Sequence, residues 1–247
     1  MERQYLLKPD RPDPKDYKYA SYSSQEIKPI DLRPYDFPEI LDQGYLGSCT
    51  AFAISALKQF KERNESQINA YFYLSQLYLY YKEREIEGTI DFDSGASIRD
   101  GLKVLQQVGC CTTSYFPYVE SNYKNKPSIE ADENAKEHKI NSYSRLFTAL
   151  QLKQALSEKN PVVMGVEIFQ SFESFEVAST GVVPFPDRNK EYSLGYHAVL
   201  AMGWKIINGE EYIICRNSWS KQWGDKGYFY LPMSYIGRLV SDMWVTN

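Results

Sequence analysis

Histidine is nearly absent: among 247 residues it occurs only as His138 and His197. Imidazole chemistry near neutral pH therefore has two candidates. Cysteine is also sparse, at Cys49, Cys110, Cys111 and Cys215, two of them adjacent, which excludes a dense disulfide scaffold and fits a reducing compartment. No C-x-x-C or H-E-x-x-H spacing occurs, so no metal site is expected and no cofactor is implied. The longest apolar runs, around 161–168 and 196–204, fall far short of the ~20 residues that span a bilayer. Only Leu6 and Leu7 stand where a secretory signal carries ~7 to 15 apolar residues, so export by that route is not expected. A cytoplasmic or otherwise reducing location is expected, which leaves room for a virion or non-classical export. Positive charge is not in excess: 28 Lys and Arg against 32 Asp and Glu leave −4, without the basic footprint of a nucleic-acid binder.

What is present is ordinary globular composition, 43% hydrophobic and 24% charged, at a length for one large domain or two small ones. Residues 1–28, with Pro9, Pro12 and Pro14, read as an extended arm. Residues 29–140 read as mainly helical. Helices are expected from Cys49 to Arg63, from Leu74 to Arg84, and from a Ser97 cap to a stop at Gly109. Residues 118–141, rich in Lys and Glu, read as a solvated connection, with His138 in solvent. Residues 141–247 read as β-rich, with a helix capped near Thr148 and strands at Val162–Ile168, His197–Ile207, Tyr212–Arg216 and Gly227–Leu231. Helices first and strands second imply an α+β chain of two lobes with a cleft between them.

Three segments carry chemistry. Asp42 to Phe52 bring a glycine-containing loop to Cys49 at the first turn of a buried helix, where unpaired N–H groups and the dipole favour thiolate over thiol. His197 stands at the mouth of an apolar strand. Asn208-Gly209 is a tight hairpin signal, and a two-residue turn there puts Asn217 opposite Leu200, so His197 and Asn217 share one end of a hairpin. An Asn that accepts from one ring nitrogen leaves the other for a thiol.

Gln43, Gly47-Ser48-Cys49, His197 and Asn217-Ser218-Trp219, in this order, resemble the papain/cathepsin cysteine peptidases from about Asp31 to the C-terminus. The resemblance implies a two-lobe α+β fold, a helical lobe facing an antiparallel β-barrel-like lobe across the active-site cleft. It makes Cys49 the nucleophile, His197 the general acid/base and Asn217 its orienting partner, with Gln43 and the Cys49 N–H as the oxyanion hole. Trp219 would cover the His–Asn bond and Trp223 would border the leaving-group side. Gly95 and Ala96 match the segment that pairs with substrate backbone, and Gly165 and Ala198 the pocket for the second residue before the scissile bond. Leu46 replaces a common disulfide cysteine, Thr50 the usual Trp, and Tyr196 the common Asp or Asn. The short arm resembles a bacterial and viral branch without a long helical prosegment.

The implied function is peptide-bond hydrolysis, most simply by an endopeptidase, through a thioester, on polypeptide substrates and as a monomer. A specialised amide or isopeptide hydrolase or transferase, and a catalytically silent binding homologue, are the alternatives. Two readings of the arm stay open: a segment across the cleft that limits access, with Tyr5, Leu6, Leu7, Tyr17, Tyr19 and Tyr22 filling apolar subsites, or a belt outside the β-lobe.

Overall fold

The computed structural model describes residues 3–20, 27–36, 39–65 and 72–246; Tyr22 lies outside them. In chain order the first half holds β1 (Ile30–Asp31), α1 (Cys49–Glu65), α2 (Gln76–Glu87), α3 (Ile98–Gln107) and α4 (Ile129–Ala135). The second half holds β2 (Tyr143–Leu146), α5 (Ala149–Ser157), β3 (Val162–Phe169), α6 (Phe175–Thr180), β4 (Ser193–Ile207), β5 (Glu210–Arg216), β6 (Tyr228–Pro232) and β7 (Val240–Thr246).

Helix starts follow their caps. Ser75, Ser97, Ser128 and Thr148 each accept a backbone N–H from the first turn, and Thr148 and Gln151 form a capping box. α1 is buried almost all round from Cys49 to Phe60, because it lies between α2 and α3 on one side and β4 on the other. That central position turns its first residue toward the junction of helices and sheet.

The strands form one antiparallel sheet in the order β2-β7-β3-β4-β5-β6, with β1 paired to the far part of β4. The sheet is open, with β2 and β6 at its ends, where the resemblance implied a barrel-like lobe. The β4–β5 hairpin turns on Asn208 and Gly209, both at positive φ, as a two-residue turn requires. Pairing runs from Ile207↔Glu210 to Gly203↔Ile214, then slips by one at a bulge on Met202 to give Leu200↔Arg216. Asn217 therefore emerges one residue nearer to His197 than an unbroken ladder gives. The stretch expected as a solvated connection contains α4, whose Ala131 and Ala135 are buried.

Candidate active site

Cys49 is the first residue of α1 and fully buried. Its thiol lies against the backbone N–H of Ala198, next to His197, and against the N–H groups of its own helix start. Those donors favour thiolate, but burial outweighs them and pushes the thiol up to about 12, with the carboxyl of Glu83 adding to the rise. In this conformation the sulfur is protonated, so the thiolate expected from the helix start is not the state of the closed site.

His197 pairs with Val166 of β3 and is buried. Its Nε2 donates to Asn217 Oδ1 at 2.9 Å, and the same oxygen accepts the Ser218 N–H at 2.9 Å. An oxygen that only accepts fixes the tautomer: the proton is on Nε2 and the lone pair on Nδ1. Burial holds the imidazole down to about 4, against which the Asn217 bond works upward and nearby Arg3 downward. Trp219 stacks on the imidazole at 5.1 Å and 27°, and Trp223 meets Trp219 edge-on at 4.8 Å.

The Gln43 side chain is held at both ends. Nε2 donates to the Leu46 carbonyl at 2.8 Å and Oε1 accepts from Ser218 Oγ at 2.5 Å, which leaves one amide hydrogen on Nε2. Its backbone joins the two loops as well, since Gln43 N donates to Ser218 O and Tyr118 Oη donates to Gln43 O. The four chemical residues thus come together from α1, β4, the end of β5 and the loop before α1.

The arm runs through this site. Leu7 N donates to Tyr196 O at 3.1 Å, Tyr196 N to Tyr5 O at 3.3 Å, and Lys8 N to Ala96 O at 3.0 Å. The Tyr5 ring stands edge-on to both His197 and Trp219 at 6.0 Å, its hydroxyl bonded to Glu173, and the Arg3 guanidinium sits 4.3 Å over Trp219. Gly95, at φ +63°, admits the Leu6 backbone so closely that a Cβ there would fall on the Leu6 carbonyl. A Cβ on Gly165 would stand 2.9 Å from Leu7 Cδ2. Gly95, Ala96, Gly165 and Trp219 are therefore covered by residues 3–8, with Trp223 lining a space beside Arg3, while Ala198 is buried with its N–H against the Cys49 thiol.

Residues 3–8 thus lie across the cleft, and residues 10–19 form a belt. Asp16 binds Arg99 at 2.7 Å and Arg145 at 3.3 Å, and the Arg145 backbone pairs with Tyr17 and Tyr19. Asp10 is buried, accepts the Arg99 N–H at 2.9 Å, and donates its own N–H to Asp242 at 3.3 Å. Burial and the facing Asp242 raise the Asp10 carboxyl to about 7.

Sequence reasoning missed several supports. Glu83 of α2 is fully buried beneath the start of α1, accepts from Thr50 Oγ1 at 2.7 Å, and has its carboxyl pushed well up by burial. Thr50 in place of the usual Trp was the available signal. Asp93, two residues before Gly95, accepts the Gly47 N–H at 3.0 Å and fixes the loop before Cys49. His138 is not in solvent: its Nδ1 meets Glu62 of α1 at 3.0 Å and its ring lies 5.0 Å from Phe72. Cys110, Cys111 and Cys215 are free and buried. Among the described residues no cluster of three His, Cys, Asp or Glu could hold a metal ion, and no helix is long and apolar enough to cross a membrane.

The papain family cysteine protease model matches residues 28–238. An uncharacterized peptidase C1-like protein of Acanthamoeba polyphaga mimivirus is 38% identical over 231 residues, 89% of this chain and 73% of that protein. Peptidase 1 of Dermatophagoides farinae is 26% identical over 76% of this chain, which spans only 55% of that relative's length. The crystal structure of xylellain, a cysteine protease from Xylella fastidiosa, is similar at a TM-score of 0.91 and 34% identity, covering 100% of this chain and 98% of that one. With the family model spanning most of the sequence and the Cys, His, Asn and Gln residues converging on one cleft, the chain belongs to the papain family of cysteine proteases.

Proposed function

We propose that the protein is an endopeptidase that cleaves polypeptides through a Cys49 thioester and carries its own N-terminal inhibitor. The observation that carries the chemistry is the 2.9 Å bond from His197 Nε2 to Asn217, which leaves Nδ1 as a base beside the residue whose N–H the Cys49 thiol faces. Once the cleft is open, solvation and the helix start favour transfer of the thiol proton to Nδ1. The thiolate attacks the scissile carbonyl, the second hydrogen of Gln43 Nε2 and the Cys49 N–H receive the oxyanion, and His197 protonates the leaving amine. Water then hydrolyses the thioester with His197 as base. Labelling by an epoxide or vinyl-sulfone electrophile, followed by cleavage profiling on a diverse peptide library, tests this reading. Cleavage of few or no linear peptides would refute endopeptidase action. Gln43→Ala is expected to lower turnover about 10²- to 10³-fold with the melting temperature nearly unchanged.

The lobe division follows the same reading: residues 29–140 carry the nucleophile, and 141–247 carry His197 and Asn217. The arm crosses their junction with Arg3 at Trp219 and Trp223 and Leu7 at Gly165. If Gly165 lines the pocket for a residue before the scissile bond and Trp223 borders the leaving group, the arm runs opposite to a substrate. A segment so placed fills the subsites without presenting a scissile bond in productive order.

Opening of residues 3–10 changes the protonation of Asp10. Its carboxyl falls from about 7 toward 3.8, releases a proton between those values, and makes acid favour closure. His197 does not offset this, because its proton comes from Cys49 and the pair holds one proton whether the cleft is closed or open. The Cys49 labelling rate of the full chain, relative to that of an arm-truncated chain at each pH, should therefore fall by up to ~10-fold per unit of acidification between about pH 7 and 4. In Asp10→Asn the ratio should be nearly flat. A flat ratio in the wild type refutes the account.

A further inference from the structure

Asn217 uses one end of its amide on His197 and Ser218; the other end is unpartnered. Asn217 Nδ2 is buried and has no hydrogen-bond partner, and the same holds for Gln76 Oε1. Both residues, 4% and 3% exposed, line a single cavity of about 20 Å³ between α1, α2, β4 and the end of β5. Ser55 and Ser218 contribute further polar surface to it. One water needs roughly 10–15 Å³ of such volume and two to four polar partners, so the space fits one molecule and the walls supply a donor and an acceptor. A buried donor and a buried acceptor left without partners are each costly, and a water that accepts from Nδ2 and donates to Oε1 satisfies both.

The geometry points to a structural water bound between Asn217 Nδ2 and Gln76 Oε1, through which Gln76 acts as a positioning residue for the His197–Asn217 pair. Gln76 suits this role because it is the first residue of α2, whose start is fixed by the Ser75 cap. An amide tied at Oδ1 by two donors and at Nδ2 by one acceptor has its plane fixed. The proton on His197 is then held on Nε2 and the lone pair on Nδ1. Without the water, the plane is free to tilt about the Oδ1 contacts, and the Nδ1–H tautomer gains population. This inference rests on the proposed function only for its catalytic consequence; the water and the tautomer are measurable without any turnover.

With only two histidines in the chain, ring nitrogen NMR of the full-length protein reads His197 directly. Wild type should show the Nε2–H tautomer, and a crystal structure should show a water within hydrogen-bond distance of both atoms. Gln76→Met, which removes the acceptor, should add a measurable Nδ1–H population and slow Cys49 labelling by about 3- to 10-fold. Gln76→Glu, a near-isostere that keeps a carbonyl acceptor, should restore the wild-type pattern. Three results overturn the inference: no water at the site in the wild type, a wild-type tautomer pattern in Gln76→Met, or equal loss in both variants, which marks simple packing. Should Gln76→Met not fold, the wild-type water and the Gln76→Glu spectrum decide alone. Wild-type protein that shows the water and the tautomer but is never labelled at Cys49 would defeat the proposed function and leave this site standing.

Discussion

Cys49→Ala is expected to abolish peptide hydrolysis and labelling by active-site electrophiles, a loss of about 10⁵- to 10⁶-fold where the nucleophile of a catalytic unit is removed. The specificity of the loss is the informative part. Cys110, Cys111 and Cys215 are buried thiols whose surroundings push them up, Cys111 to about 12. None lies beside an imidazole among the described contacts. Cys110→Ser and Cys215→Ala should therefore act only through stability, lowering the melting temperature in proportion to any loss of activity. Intact-mass analysis after labelling should show one adduct on the wild type and none on Cys49→Ala. Turnover retained in the Cys49 variant would end the assignment.

Leu7→Asp is expected to raise the Cys49 labelling rate of the full chain about 100-fold. Leu7 is 4% exposed against Gly165, and fully burying a leucine is worth about 1.5–3 kcal/mol, to which the cost of burying a carboxylate is added. About 2.7 kcal/mol of lost closure corresponds to two decades in the open fraction. The rest of the belt keeps its contacts, since Asp16 still meets Arg99 and Arg145, so the melting temperature should change little. Deleting residues 1–28 is expected to open the cleft as well, but at a cost in melting temperature, because it strips two buried-side carboxylates from Arg99 and Arg145. Unchanged labelling in Leu7→Asp would mean that the arm does not limit access.

The elements that position the site were largely legible, because each had a local signal: apolar periodicity for α1 and α2, caps at Ser97 and Thr148 for α3 and α5, an Asn-Gly turn for the hairpin, unbroken apolar runs for β3 and β4. The register near His197 was legible only in part, since Gly203 inside the strand signals an irregularity but not which residue the bulge at Met202 leaves unpaired. β2 and β7 went unread for a related reason. Arg145 and Asp242 interrupt their apolar pattern, and both are buried with partners from the arm, Asp10 and Asp16 for Arg145 and the Asp10 N–H for Asp242. Partners distant in sequence were equally invisible: Glu62 for His138, Glu83 for Thr50, Ser218 for Gln43. The charge state of the closed site illustrates the limit best. A helix start argued for thiolate, and burial of Cys49, with the carboxyl of Glu83 thirty-four residues downstream, reversed it.

Gly165 has one further consequence. Its missing side chain makes the space in which Leu7 rests, and on the proposed reading that same space receives the residue by which a substrate is chosen. Selectivity and self-restraint are then not independent traits in this chain. A substitution that narrows the pocket weakens the hold on the arm as it restricts the side chains admitted, releasing an enzyme with a narrower diet and less containment. Redesign of the specificity would have to change Leu7 in step with residue 165, and matched pairs of substitutions at these two positions are what divergent relatives should carry.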